Sequence, residues 1–255
     1  MTERKQQGSA MLVGVLPVAV VLVWFVSAVL LRNPAFPTPL EATASLADSL
    51  GSARFRAAVV DTATVAAGAF AVALAVGVVV GCAFALLGEL GKAAGSILYI
   101  FNSVPKIVLF PVFLLGLGLN TTSRFAFGVF HGVFIIAIVM MEAARGLDPR
   151  LGKIAKAMLM TRTQQIRLIV LPALLPYLAV GARLCFSLTF LGVVVAELLS
   201  ASGGLGGQIL HRVEVGRVDE ICGIVVLVVV MALLPVVLIE AIERRIMRKR
   251  TPGVR

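Results

Sequence analysis

Apolar residues run in blocks along most of this chain, and polar residues gather in the gaps between them. Six blocks, at 10–31, 57–87, 96–119, 123–141, 176–199 and 221–242, are long enough to cross a bilayer, which takes about 20 residues of helix. The pattern predicts an all-α integral membrane protein, one domain of six transmembrane helices. Polar stretches separate the blocks: a tip at 1–9, a segment at 32–56, a short loop at 88–95, a long interval at 142–175, a glycine-rich loop at 200–219 and a basic tail at 243–255.

Local signals refine this outline. Thr38, Pro39 and Glu41 have the spacing of a capping box with proline in the first helical turn. Leu40, Ala44, Ala47 and Leu50 then share a face, and Gly51 suits the helix end. This predicts a short helix on the outer membrane surface; an irregular external loop is the alternative. Gly77 and Gly81 form a small-xxx-small pair that lets helices approach closely. The third span carries two helix-breaking prolines, Pro105 and Pro111, with Lys106 between them. Broken backbone at that depth requires a protein or water-lined setting.

The interval 142–175 is the longest polar one, with six cations (Arg145, Arg150, Lys153, Lys156, Arg162, Arg167) against Glu142 and Asp148. It also has a helical period. Ala155, Met158, Leu159 and Arg162 recur at i, i+3, i+4, i+7, with Lys153 and Lys156 on another face. Thr161 and Gln164 have capping-box spacing, so a second helix is expected from Thr161 through Ile166, Ile169 and Val170. Pro172 and Pro176 then mark the entry into the fifth span.

Composition agrees with the pattern. The chain has 255 residues, 60% hydrophobic and 14% charged, with mean hydropathy +1.03; soluble domains carry about 25% charged residues. Net charge is +10, and its distribution speaks to orientation rather than to nucleic acid. With both termini in the cytoplasm, 15 positive residues fall inside and 6 outside, the bias expected of a multi-pass protein. The first span is too long for a signal peptide's apolar region and lacks a small-residue cleavage site, so it reads as an uncleaved anchor. The three cysteines, Cys82, Cys185 and Cys222, lie in apolar blocks without ligand spacing.

No catalytic set is visible, and neither His131 nor His211 has metal-ligand company. Gly91-Lys92 is followed by Ala93 and lacks the upstream glycine of a phosphate loop. The chain therefore binds no cofactor of its own; ATP and magnesium would belong to a partner. Lys106, Arg183 and Glu197 are the candidates for a substrate path, since ions within spans usually face a cavity or a partner. Each has a plainer reading. Lys106 donates to carbonyls freed by the break, Arg183 snorkels to the membrane edge, and Glu197 with Gly203–Gly207 forms a turn.

The end of the basic interval, Ile169, Leu171 and Pro172, resembles the cytoplasmic loop of permease subunits of ATP-binding-cassette importers. Their signature is Glu-Ala-Ala, three residues, Gly, nine residues, Ile-x-Leu-Pro. Counting back places Lys153, Ile154 and Ala155 on Glu-Ala-Ala and Leu159 on the glycine. The literal Glu142-Ala143-Ala144 lies 30 residues before Pro172, where the motif requires 19. A left-handed turn at a leucine is strained by about 1–2 kcal/mol. The sequence thus predicts an ordinary turn at Leu159, or helix running past it, and no positive φ.

Further pieces are similar to the sulfonate, nitrate, taurine and bicarbonate branch of these permeases. They are Phe36-Pro37-Thr38-Pro39, Val104-Pro105-Lys106 with Pro111, Gly116-Leu117-Gly118, Gly146-Leu147-Asp148-Pro149, Gly181-Ala182-Arg183-Leu184, Ala196-Glu197 and Gly204-Leu205-Gly206. The resemblance implies the type I importer architecture with a cytoplasmic coupling helix, in a bacterial inner membrane. Its partners would be a second permease copy or a paralogue carrying the intact motif, two ATPase subunits and an external substrate-binding protein. It implies a small anion as substrate, moved by alternating access. Lys153, Ala155, Lys156, Met158, Leu159, Met160, Thr161, Arg162, Ile169, Leu171 and Pro172 would serve ATPase coupling. An ATP-independent channel or secondary transporter is the competing class.

Overall fold

Helix follows helix from Thr2 to Arg250 in the computed structural model, which describes residues 2–31, 33 and 36–250, with side chains from Val15 to Arg245. The order is α1 Thr2–Leu31, α2 Pro39–Gly51, α3 Ala53–Leu86, α4 Gly88–Ser103, a 3-10 turn Lys106–Leu109, α5 Phe110–Leu117, α6 Thr121–Arg145, α7 Pro149–Ala157, α8 Arg162–Gln165, a π turn Ile166–Val170, α9 Leu171–Ser200, α10 Gly204–Glu214 and α11 Val218–Arg250. No strand occurs among the described residues.

α6 is the centre, flanked by α3 and α9, and small residues set the spacing. A Cβ at Gly81 would lie 2.3 Å from the Ala137 carbonyl oxygen, and one at Gly132 would lie 2.0 Å from Thr189 Oγ1. Gly77 likewise faces Ile136, so the Gly77–Gly81 pair packs α3 on α6 backbone to backbone. Phe70, Phe186, Phe190 and Val193 fill the space beside this seam. α3, α6 and α11 run in parallel and α9 runs against them. The N-terminal ends of α3 and α6 thereby meet the C-terminal end of α9 at one end of the molecule. α7 and α8 lie at the other.

Four helical stretches are long and apolar enough to cross a bilayer: Ala53–Leu86, Thr121–Arg145, Arg162–Ser200 and Val218–Arg245. The pair Gly88–Ser103 and Lys106–Leu117, bent by 86°, makes a fifth if it is one span. α1 contributes a shorter apolar stretch, Val15–Leu31. The expected count of six is thus four or five by length among the described residues.

Several boundaries differ from those read in the sequence. Residues 88–95 are helix, because Gly91 lets α4 fold tightly onto the end of α3; a Cβ there would meet the Phe84 carbonyl oxygen at 1.9 Å. The segment 200–219 is not a loop, since α10 fills most of it. The expected tail from 243 continues α11 to Arg250, and residues 251–255, like Met1 and Arg32, lie outside the described residues. The capping box at Thr38 is present, with Thr38 N donating to Glu41 Oε2 at 2.7 Å and Glu41 N to Thr38 Oγ1 at 3.3 Å. Gly223 of α11 lies against the Ala42 carbonyl of α2, so this helix is docked on the bundle.

Candidate functional site

The basic interval folds from local signals. Asp148 caps α7 by accepting from Arg150 N at 2.8 Å, and Pro149 occupies the first turn. α7 ends in a closed reverse turn. Leu159 N donates to the Lys156 carbonyl at 3.1 Å and Met160 N to the Ala155 carbonyl at 3.0 Å. This paired bonding normally recruits glycine at the left-handed position. Leu159 holds that position with φ +50°, so the expected ordinary turn is wrong. Two backbone hydrogen bonds and an outward-pointing side chain, 90% exposed, hold the leucine in the glycine's conformation.

The apolar stripe anticipated over Ala155, Met158, Leu159 and Arg162 is therefore not one face. Ala155 is enclosed, whereas Met158 and Leu159 form an exposed tip and Arg162 opens α8. Thr161 and Gln164 make the expected capping box, with Thr161 N donating to Gln164 Oε1 at 2.9 Å and Gln164 N to Thr161 Oγ1 at 3.3 Å. No break follows at Pro172. Leu171 N bonds to the Ile166 carbonyl, one residue further back than in an α-helix. That wider turn moves aside the carbonyl a proline ring would otherwise strike. Helix thus continues from Arg162 to Ser200, carrying Ile169, Leu171, Pro172 and Pro176 within it.

The third span breaks at Val104–Pro105, where the backbone is extended. Pro111 does not break it again; it sits in the first turn of α5, where its missing N–H has no helical partner to lose. Lys106 is buried at the bend. Its Nζ lies 3.1 Å from Asn102 Oδ1, 3.4 Å from the Asn102 carbonyl and 5.6 Å from the Phe134 ring. It occupies a carbonyl that the end of α4 leaves open. Phe110 and Phe113 pack against Phe127 beyond the bend, and Phe130 bridges Phe113 and Phe134.

At the opposite end lies a buried polar corner. Glu197, 0% exposed, accepts from Thr62 Oγ1 at 2.9 and 3.0 Å, from Gly206 N at 3.0 Å and from Arg124 Nη1 at 3.3 Å. Arg124 also donates to Asp61 Oδ2 at 2.8 Å and to Thr121 Oγ1 at 2.9 Å. Thr62 Oγ1 in turn accepts from Leu205 N at 2.8 Å. Glu197 and Thr62 thus cap α10, whose own N-cap, Gly203, has no side chain to offer. A Cβ at Gly204 would lie 2.1 Å from the Glu197 carboxyl carbon.

The three substrate-path candidates do not converge. Lys106 is at the bend and Glu197 in the polar corner, while Arg183 is paired with Glu243 of α11 at 3.0 Å, near the α7 end. The corner also contains residues the sequence reading passed over. Asp61 is the only acid in α3, and that isolation in an apolar block was an available signal. Among the described residues no cluster of three or more His, Cys, Asp or Glu is placed to hold a metal.

Residues 73–251 match the family described as "Binding-protein-dependent transport system inner membrane component". Among curated proteins, the chain is 28% identical to the putative aliphatic sulfonates transport permease protein SsuC of Bacillus subtilis, over 60% of this chain and 55% of that one. It is 27% identical to the nitrate import permease protein NrtB of Synechococcus elongatus, over 54% and 49%. With the taurine transport system permease protein TauC of Escherichia coli it shares 23% over 92% and 87%. The match thus spans about half the length of SsuC and NrtB. In fold the chain is similar to a crystal structure of a bacterial ABC transporter importing the acidic polysaccharide alginate. That match has a TM-score of 0.67 at 15% identity, over 94% of this chain and 97% of the other. An inward-facing MetNI methionine ABC transporter chain matches with TM-score 0.62 and 21% identity, over 75% and 94%.

Proposed function

The chain belongs to the binding-protein-dependent transport system inner membrane component family, and from that premise we propose that it is the permease subunit of an ATP-driven importer. It forms the solute path with a second permease and hydrolyses nothing itself. ATP and magnesium are bound by two separate ATPase subunits, and an external binding protein delivers the solute. Six crossings are counted by adding α1 and the bent pair to the four long spans. Both termini and α7 then lie in the cytoplasm, and the polar corner with α2 and α10 lies outside.

The observation that carries this reading is α7: a short, capped helix between α6 and the long helix that includes α9, with Met158 and Leu159 exposed at its tip. A helix tied to two spans transmits a partner's displacement to both, and methionine gives an adaptable contact. The solute is a small anion of the sulfonate, taurine or nitrate kind, a reading supported by the names of the relatives.

The test replaces Met158 and Leu159 with Asp. Co-purification of the ATPase should fall at least tenfold, and binding-protein-dependent uptake should vanish in intact cells. Uptake unaffected by these changes would overturn the coupling role of α7. Uptake that also survives ATP depletion would favour an ATP-independent channel or secondary transporter.

A further inference from the structure

The cations of the α7–α8 region differ from most others in the molecule. Lys92, Arg124, Arg145, Arg183, Arg212, Arg217 and Arg244 each have a carboxylate within 4 Å. Arg150, Lys153, Lys156, Arg162 and Arg167 have none among the described residues, and all five are exposed. Arg150, Lys153 and Lys156 follow one another at three-residue intervals, so they share a face and repel. Of the two acids in the interval, Glu142 pairs with Arg145 and Asp148 caps α7 through the Arg150 amide. The fold concentrates positive charge here and does not neutralise it.

The direction of that face matters. Ala155 is enclosed, and Lys153, two residues before it, points about 200° away round the helix. Lys153 is therefore turned away from the residues that enclose Ala155, and Arg150 and Lys156, about 140° and 100° from Ala155, flank it in solvent. A helix lying on lipid would instead turn its apolar side outward to the membrane with cations flanking it. In α7 the side carrying Ala155, with half-buried Leu151, is taken up by the protein itself. Ile154, Ala157 and the Met158–Leu159 tip remain as exposed apolar surface.

We propose that the ATPase groove receiving α7 is lined by carboxylates facing Arg150, Lys153 and Lys156, so that partner choice is set by charge as well as by the apolar tip. This rests on the importer reading. A groove carrying basic residues in those places would be rejected, because like charges brought together are unfavourable and unrelieved by solvent. The apolar tip supplies contact area common to any acceptable partner, and the cationic face discriminates between them.

The experiment uses the full chain, solubilised from its native membrane with any ATPase that stays bound to it. A zero-length carbodiimide joins lysine amines to carboxylates already in contact, and peptide mass spectrometry reads the pairs. We expect Lys153 or Lys156 joined to Asp or Glu of the ATPase. We also expect about tenfold weaker ATPase retention in 0.5 M salt than in 0.05 M. The triple variant Arg150→Gln, Lys153→Gln, Lys156→Gln should bind about tenfold more weakly at low salt and lose the salt dependence, with unchanged size-exclusion behaviour. An ATPase retained equally at both salts, and equally by the triple variant, overturns the acidic groove while leaving the importer reading intact. Cations that bind only vesicles containing phosphatidylglycerol, with the ATPase held regardless, overturn it in favour of lipid. No ATPase on the unaltered chain at either salt removes the importer reading itself.

Discussion

At one end of this molecule charge is turned inward; at the other it is turned out. Arg124 and Glu197 are buried together, and Thr62, Thr121, Asp61 and the first amides of α10 supply their hydrogen bonds. Arg124 Nε is the one buried atom of that group left without a partner. Around α7, five exposed cations have no carboxylate within 4 Å among the described residues. The contrast separates two uses of ionic residues. The corner joins α3, α6, α9 and α10 and fixes their relative positions. The α7 cations make no ion pair among the described residues and are left free for what approaches from outside.

Breaking the corner should have the largest effect. Glu197→Ala leaves Arg124 with Thr121 and the partly exposed Asp61 as partners and removes one of the two caps of α10. Loss of one partner from a buried ion pair costs about 3–5 kcal/mol, and the low end is expected because Asp61 remains. The apparent melting temperature in detergent should fall by about 6–12 °C. A fall under 2 °C would mean that the corner is not what holds the four helices. Gly204→Ala comes next. Its φ is +62° and its Cβ would displace the Glu197 carboxylate, so about 2 kcal/mol is expected. Gly216→Ala is the control: φ is +71° with nothing within 4 Å. It should lose only the backbone share, and the difference between the two variants measures the contact.

What could be read from sequence was local. The capping boxes at Thr38 and Thr161 and the proline break at Pro105 are spelled within four residues, and each is found. The hydrophobic blocks gave most of the spans, though helix overruns them wherever polar residues prolong it, as at 162–175 and 243–250. α10 was illegible because its cap is not local. Thr62 is 143 residues from the Leu205 amide it receives, and two of the glycines that suggested a loop, Gly204 and Gly206, leave room for Glu197. The Arg183–Glu243 pair was illegible for the same reason. Leu159 is a different failure. Residue preference argued correctly that leucine is strained with positive φ, but the pair of reverse-turn hydrogen bonds outweighed it.

Leu159→Gly tests that last point and has a smaller, local effect. Relieving the left-handed leucine should stabilise the end of α7 by about 1 kcal/mol. Hydrogen exchange at the Met160 amide, which donates to the Ala155 carbonyl, should slow about fivefold, with the melting temperature unchanged. ATPase retention should nevertheless fall, because the exposed side chain is gone. If both exchange and retention stay as they were, Leu159 is neither strained nor a contact.

The smallest effect on the fold is expected from the triple variant that weakens assembly about tenfold. Replacing Arg150, Lys153 and Lys156 with Gln removes two i,i+3 repulsions, each worth about 0.2–0.5 kcal/mol. Arg150 stands in the first turn of α7, where the helix dipole opposes a cation, so its loss favours the helix. Lys156 stands in the last turn, where the dipole favours one, so its loss offsets part of that gain. The net change should be about 0.4–1 kcal/mol, on the stabilising side, and thermal unfolding of the purified chain measures it. A clear destabilisation would mean that these cations do have partners inside the chain, and the contrast between the buried corner and the α7 cations would fail.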